Sequence, residues 1–435
     1  MRVSAYMALA ATLLAPGLLL TPGNATAKGG TIAIGHLVDY TGPTSAVGLP
    51  FGQGVSDALA YINKNGGVDG KQMSVDTVDY SYQVPRAIAA YKRWTSGSDR
   101  VVAIQGWGTA DTETLTAFLP RDQMPYFSAS YAAALTDPLG KGTHGSRAAP
   151  YNFFYGPSYS DAARALVEWA AGDWKAHGNK GQGKYVHMGA NNPFPNAPKA
   201  AAETLAKDLG FAVLPEIQYS LAPGDFTAQC LTLKESGANY AYLGNTGGSN
   251  ISMLKACANA GVKVQFLTNV WGMDENVMKA VGVSGSGVVF PLRTTVTWAD
   301  MNASGMTLMH AISKMSDPNG TAYRVVDYMA GVCSAYYMKE AIDWAATHGG
   351  ITGNNIRLGM YQKTNWVPKG LEGVCIPSTW TTSDHRGTTL VTLYRANITG
   401  STSGEPIYQL MANHVITLDK VAAINIPRKP EWLGW

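Results

Sequence analysis

Hydroxyl, aromatic and amide side chains gather in seven short segments of this sequence, with few charged side chains among them. The first four are Asp39-Tyr40-Thr41, Tyr80-Ser81-Tyr82, Trp107-Gly108-Thr109 and Ser128-Ala129-Ser130-Tyr131. The others are Asn191-Asn192-Pro193-Phe194, Asn245-Thr246-Gly247 and Asn269-Val270-Trp271. Tyr and Trp combine an apolar face with a polar tip, while Ser, Thr and backbone N–H groups can hold a carboxylate without a counter-ion. This is binding chemistry. Catalytic signatures are missing: there is no Gly-x-Ser-x-Gly elbow, no Ser-x-x-Lys with its partner motifs, no His-Glu-x-x-His and no phosphate loop. Gly106-Trp107-Gly108 lacks the third glycine of a dinucleotide fingerprint, because Asp111 occupies that position. The eight histidines stand singly, so neither a metal nor a cofactor is expected. His36, ending the first strand, is the one placed to reach a cleft.

Alternating strands and helices must position these segments. A buried strand is expected at Thr31 to Leu37. Pro50 then opens a helix whose apolar residues Phe51, Val55, Ala58, Leu59 and Ile62 share one face, and Asn65-Gly66-Gly67 stops it. Strands near 72–79, 101–105 and 125–128 alternate with helices near 84–94 and 112–119. The alternation restarts after Ala149-Pro150, with strands at 151–155, 184–188, 212–219, 240–243 and 263–267. Helices between them fall near 158–171, 197–209, 225–236 and 249–260. A long helix is expected at 328–347, and the Pro- and Thr-rich chain from about 365 reads as strands and loops. Such alternation implies βαβ units, two α/β halves with parallel sheets. In open parallel sheets ligands sit outside the carboxyl ends of the strands, where all seven segments fall.

Composition narrows the function. Hydrophobic residues make up 46% of the 435 and charged residues only 14%, against about 25% in an average domain. The net charge of +3 is spread along the chain without a basic run, which argues against nucleic-acid binding. Arg2, the uncharged stretch Ala5 to Leu20, Pro22-Gly23 and Ala25-Thr26-Ala27 have the form of an export signal cleaved after Ala27. All four cysteines follow it. An oxidising compartment permits two disulfides, and sequential proximity favours Cys230–Cys257 and Cys333–Cys375 over the other connectivities.

Longer runs carry a family resemblance. Ile32-Ala33-Ile34-Gly35, Thr41-Gly42-Pro43, Gly48 and Ile62-Asn63-Lys64-Asn65-Gly66-Gly67-Val68-Asp69-Gly70-Lys71 resemble the branched-chain amino-acid-binding proteins of bacterial ABC transporters. Val101 to Gly106, Met124-Pro125, Leu135-Thr136, Gly224-Asp225-Phe226 and Asp384-His385-Arg386-Gly387 continue the pattern. The resemblance implies a type I periplasmic binding protein: two Rossmann-like α/β lobes joined by three crossings, closing on a ligand between them. Residues 28–152 plus 290–365 would form the first lobe, and 153–289 plus 366–435 the second. It further implies a periplasmic monomer that delivers one small organic ligand to an ABC permease complex, with no cofactor and no catalysis. A ligand sensor of the same fold is the alternative reading, and a secreted hydrolase a remote one.

By that resemblance, a ligand carboxylate would meet Trp107 to Thr112 and Ser128 to Tyr131, with Thr109, Ser128 and Ser130 as hydroxyl donors. Phe194 matches the aromatic that covers the ligand from the second lobe. Tyr40, Tyr82, Trp107, Gly108, Tyr131, Thr246 and Trp271 complete the expected lining. One departure stands out. The acid that binds an amino-acid ammonium in the family is replaced by Asn269-Val270-Trp271, with no carboxylate before Asp274 and Glu275. Either Asp111 takes the amine, although its position suits an N-cap for a helix starting at Thr112, or the ligand has no amine. An aromatic or short-chain carboxylate or amide would satisfy the second case, which the aromatic segments favour.

Overall fold

A computed structural model describes residues 30–97 and 100–435. The expected export signal and expected cleavage after Ala27 lie outside the described residues. The first unit comprises β1 (Thr31–Val38), α1 (Ser45–Lys64), β2 (Gln72–Asp79), α2 (Val84–Thr95), β3 (Ala103–Gly106), α3 (Thr109–Leu115), α4 (Leu119–Asp122), β4 (Tyr126–Ser128) and β5 (Asn152–Phe153). Its strands form one parallel sheet in the order β2-β1-β3-β4-β5. β1 is almost wholly buried, as a central strand covered on both faces must be. Gly35 lets the Trp94 ring lie against it, since a Cβ there would stand 2.7 Å from that ring.

α1 begins at Ser45, not at Pro50 as expected, and Pro50 lies inside it. The helix loses one backbone hydrogen bond there. Burial of Val47, Gly48 and Phe51 around the proline holds the early turns in place.

The second unit contains α5 (Tyr159–Ala176), β6 (Lys184–Gly189), α6 (Pro193–Asn196), α7 (Lys199–Asp208), β7 (Ala212–Val213), β8 (Ile217–Gln218), α8 (Thr227–Ser236), β9 (Tyr240–Leu243), α9 (Gly247–Asn259), β10 (Gln265–Thr268), α10 (Glu275–Val281) and β11 (Val289–Pro291). Ser158 caps α5 by accepting from the Asp161 N–H at 3.0 Å. The chain then returns to the first unit through α11 (Met306–Ser313), α12 (Val326–Thr347) and α13 (Gly353–Gly359). α12 packs along α1. Gly54 and Gly331 make that approach possible, because a Cβ on either would collide with the other helix's backbone. Finally β12 (Leu390–Ile398), α14 (Ile407–Ala412) and β13 (Ile416–Asn425) rejoin the second unit.

The second sheet runs β13-β12-β11-β10-β9-β6-β7, with β8 also pairing with β6. It is mixed rather than wholly parallel, since β12 is antiparallel to both β11 and β13. The long β12–β13 ribbon closes the edge that a third βαβ unit would otherwise occupy.

Each sheet anchors one lobe, and the chain passes between the two. Phe290 and Pro291 pair within the second sheet, and Trp366, Leu371, Val374, Cys375 and Trp380 pack in the first core, beside residues of α12. Cys375 is tied to Cys333 of α12, and Cys230 of α8 to Cys257 of α9. The buried Arg293 guanidinium joins two passages by donating to the carbonyls of Tyr155 and Pro157 at 2.7 and 2.8 Å. No helix among the described residues is long and apolar enough to cross a membrane.

Candidate functional site

A narrow cavity of about 20 Å³ lies where the two lobes meet. The closed lobes leave room there for about one water, so an organic ligand enters only when the walls part. Thr44, Tyr82, Trp107, Gly108, Thr109 and Ala129 line it from the first lobe. Tyr159, Phe194, Thr246 and Trp271 line it from the second. Trp107 and Trp271 face each other across it with ring centroids 5.3 Å apart, and Phe51 packs against both. The first core therefore runs without a break into Phe194, Val270 and Trp271 of the other lobe.

Strand ends place these side chains. β3 delivers Trp107 and Gly108, whose indole N–H donates to Thr44 Oγ1 at 2.9 Å in the case of Trp107. Gly108 must lack a side chain: a Cβ there would come 2.5 Å from the Tyr80 hydroxyl and 2.5 Å from the Tyr82 ring. Behind β2, Ser81 and Tyr82 both adopt left-handed backbone conformations, with φ of 50° and 58°. Two consecutive non-glycine residues held this way store strain of order 1–3 kcal/mol each, which surrounding contacts must fix. The Ser81 N–H bond to Asp79 Oδ1 at 3.0 Å is one such contact.

On the second lobe, amide side chains act as scaffolding. Asn269 Nδ2 donates to the carbonyls of Gly244 and Asn245 at 2.9 and 3.0 Å, and its Oδ1 accepts from the Trp271 N–H at 2.8 Å. The Gly247 N–H donates to the Trp271 carbonyl at 2.8 Å, which couples the start of α9 to the indole. Trp271 Nε1 donates to the Tyr159 hydroxyl at 2.8 Å, and that hydroxyl donates to the Ala129 carbonyl of the first lobe at 3.2 Å.

Seven of the twelve expected binding residues thus line the cavity: Tyr82, Trp107, Gly108, Thr109, Phe194, Thr246 and Trp271. Five do not. Tyr40 packs over Gly52 of α1 and hands its backbone N–H to Asp79. Ser128 donates its hydroxyl to the Ser130 carbonyl, and the Ser130 hydroxyl pairs with that of Thr109 at 2.8 Å. Tyr131 stacks on the far side of Trp271 at 5.3 Å, with Arg293 Cζ 3.4 Å from its ring centre.

Asp111 requires the largest correction. α3 starts at Thr109 with Gly108 as N-cap, so Asp111 sits inside the first turn and caps nothing at Thr112. Its carboxylate accepts from the Tyr80 hydroxyl at 2.7 Å and from the Tyr126 hydroxyl at 3.4 Å. Burial pushes the carboxyl up to about 7, against the pull of those hydrogen bonds. His36 is likewise no cleft contact. It is buried beside Thr77, and burial holds its imidazolium pKa down to about 3.

Two lining residues lay outside the sequence reading, Thr44 and Tyr159, while Ala129 belongs to the expected Ser128-to-Tyr131 segment. Thr44 was hidden by the misplaced start of α1. Tyr159 begins a helix that leaves a passage between lobes instead of following a sheet strand end; Ser158 with Asp161 three residues on was its signal. No charged side chain lines the cavity. Among the described residues no group of histidines, cysteines or carboxylates could hold a metal ion.

A family model described as periplasmic binding protein matches residues 31–404. No curated protein matches the chain in sequence. Among solved structures, a substrate-binding protein of an Aeropyrum pernix ABC transporter is 24% identical with a TM-score of 0.75, covering 93% of this chain and 98% of its own. A Thermus thermophilus branched-chain amino-acid ABC transporter protein with bound valine is 21% identical with a TM-score of 0.73, covering 88% and 99%. A solute-binding protein of an R. palustris ABC transporter in complex with benzoate is 15% identical with a TM-score of 0.68, covering 86% and 94%.

Proposed function

The chain belongs to the periplasmic binding protein family, and from that premise we propose that it captures one small organic ligand between its lobes and delivers it to an ABC permease. By family it is a solute-binding protein rather than an enzyme. In the reading proposed here, it works as an exported, periplasmic monomer whose lobes close by bending at the three passages.

The observation that carries this reading is the cavity at the lobe junction, walled from both sides by rings and hydroxyls. Such a site exists only while the lobes are together, so a ligand that fills it favours closure.

The ligand proposed is a small aromatic or short-chain carboxylate or amide without an amine. A buried ammonium without a counter-charge costs several kcal/mol, and no carboxylate lines the cavity. Asp111 is turned toward Tyr80 and Tyr126, behind Gly108. The relatives described with valine and with benzoate span both ligand types, so a direct comparison is required.

That comparison is a thermal-shift and calorimetric panel of branched-chain and aromatic amino acids beside their deaminated acids and amides. The proposal expects the deaminated compounds to raise the melting temperature by several degrees and to compact the protein in small-angle scattering. Response to amino acids alone would overturn the ligand class. Silence across the whole panel would count against the receptor function.

A further inference from the structure

Most polar side-chain atoms that line the cavity already have partners. Thr44 Oγ1 accepts from Trp107 and donates to Asp39. The Thr109 hydroxyl is shared with Ser130, and the Tyr159 hydroxyl both accepts from Trp271 and donates to the Ala129 carbonyl. Thr246 differs from these. It is 2% exposed, and its Oγ1 has no hydrogen-bond partner. A hydroxyl buried without a partner destabilises the fold unless another molecule satisfies it.

Thr246 is also the N-cap residue of α9, a helix of 13 residues, yet its side chain caps none of the helix N–H groups. The first intrahelical bond runs from the Asn250 N–H to the Thr246 carbonyl at 3.0 Å. The N–H groups of Gly248 and Ser249 therefore precede the helical ladder and have no acceptor within it. Together with the helix dipole, a free hydroxyl and free amides make an anion-binding end.

The opposite wall offers less. The Gly108 N–H donates to the Tyr80 hydroxyl at 3.1 Å, and the Asp111 carboxyl stands directly behind Gly108. An anion placed at Gly108 would find that donor spent and an acid nearby.

We infer that the ligand is a carboxylate and that its anionic group docks on the second lobe, against the Thr246 hydroxyl and the first amides of α9. The inference rests on the receptor reading above and decides between the acids and amides left open there. It reverses the polarity that the family resemblance implied, in which hydroxyls of the first lobe take the carboxylate. The apolar body of the ligand then lies among Trp107, Phe194 and Trp271.

The test titrates benzoate and isovalerate, each beside its amide, into wild type, Thr246→Val and Thr246→Ser. Wild type should bind the acids at least about tenfold more tightly than the amides. Thr246→Val should weaken acid binding about ten- to a hundredfold, the range for a hydrogen bond to a charged group, and Thr246→Ser should restore most of it. The unliganded Thr246→Val protein should melt at or above the wild-type temperature, because an unpaired hydroxyl has been removed. As a check that needs no variant, the ¹⁵N–¹H resonances of Gly248 and Ser249 in wild type should shift on adding acid but little on adding amide. Wild-type acid affinity in Thr246→Val, or tighter binding of the amides, would overturn the inference while leaving the receptor function standing. A wild type that binds none of the four probes while binding amino acids would refute the inference and the ligand class together.

Discussion

The indole rings of Trp107 and Trp271 approach to 5.3 Å across the lobe junction, and each N–H is committed within its own lobe, to Thr44 and to Tyr159. Their faces are therefore the contact that the lobes share, while their polar edges fix each ring before closure. Trp271 carries more of this contact, because it also stacks on Tyr131 at 5.3 Å and meets Phe51 edge-on at 5.6 Å.

Replacing Trp271 with Ala should cost ligand binding about 2–4 kcal/mol, as expected for a central buried aromatic. It should also leave the unliganded protein more expanded in small-angle scattering. Trp271→Phe, which keeps a ring without the bond to Tyr159, should fall between the two. If Trp271→Ala binds like wild type, the cavity between the lobes is not the ligand site.

Gly108→Ala should be far more damaging than the addition of one methyl suggests. The new Cβ would press on the Tyr80 hydroxyl, the Tyr82 ring and the Asp111 carboxyl at once. Overpacking of this kind costs about 1–3 kcal/mol, read as a lower melting temperature. Ligand affinity should fall as well, since Tyr82 is pushed into the cavity.

Much of this arrangement was legible in the sequence, and the gaps have definite causes. Alternating apolar runs located β9 at Tyr240–Leu243 and most other strands of both lobes, and strand ends supplied seven lining residues. Pro50 misled the reading of α1, because proline's preference for a first turn outweighed the weaker signal of Thr44-Ser45 before it. Asp111 resembled an N-cap because residue type and spacing look alike at N-cap and in the first turn. Only the tertiary partners, Tyr80 and Tyr126, distinguish the two. The Tyr131 and Ser130 side chains left no trace of their direction, which the packing of Arg293 and Thr109 decides.

Three carboxylates meet where α10 faces the start of α12, and they should make stability depend on pH. Asp274 accepts from the Val277 N–H at 2.7 Å. Glu275 accepts from the Tyr323 hydroxyl at 3.2 Å and the Val326 N–H at 3.1 Å, while Asp327 Oδ2 has no partner. Burial pushes Asp274 up to about 6 and Glu275 up to about 7, and burial with both neighbouring acids pushes Asp327 well above the carboxylate range. Unfolded, all three titrate near about 4. The folded state therefore holds more protons between about pH 4 and 7, and their contribution to stability falls as pH rises through that window. The buried imidazoles of His36, His187 and His385, held down to about 3, 3 and 4, act in the opposite sense, so total stability blurs the effect.

A difference measurement isolates it. Glu275→Gln keeps one acceptor oxygen for the Val326 N–H and offers an amide N–H to the Tyr323 hydroxyl, which can accept, but it cannot ionise. Relative to wild type, it should gain on the order of 2 kcal/mol of stability between pH 5 and 8, measured by urea denaturation. A difference that does not change with pH would show that Glu275 titrates like an exposed acid.

The two disulfides should contribute unequally, although their loops predict similar effects. Sequence separations of 27 and 42 correspond to about 3–4 kcal/mol each by chain entropy. Cys230–Cys257, however, joins α8 and α9, two helices that already pack side by side. Cys333–Cys375 anchors the segment around Trp366 and Trp380, where isolated bridges replace regular strands. Beyond the bond, side chains rather than a backbone ladder tie that segment to α12: the Tyr337 hydroxyl reaches the Trp366 and Ile376 carbonyls at 2.6 and 2.8 Å, and Glu340 accepts from the Trp366 indole at 2.7 Å. Replacing Cys333 and Cys375 with Ala should therefore lower the melting temperature more than replacing the pair that joins two packed helices. It should also raise hydrogen exchange at residues 366–380 ahead of global unfolding. Equal losses, or a larger loss for Cys230 and Cys257, would mean that the Tyr337, Trp366 and Trp380 rings, whose centroids lie 5.2–5.9 Å apart, hold the segment without the bond.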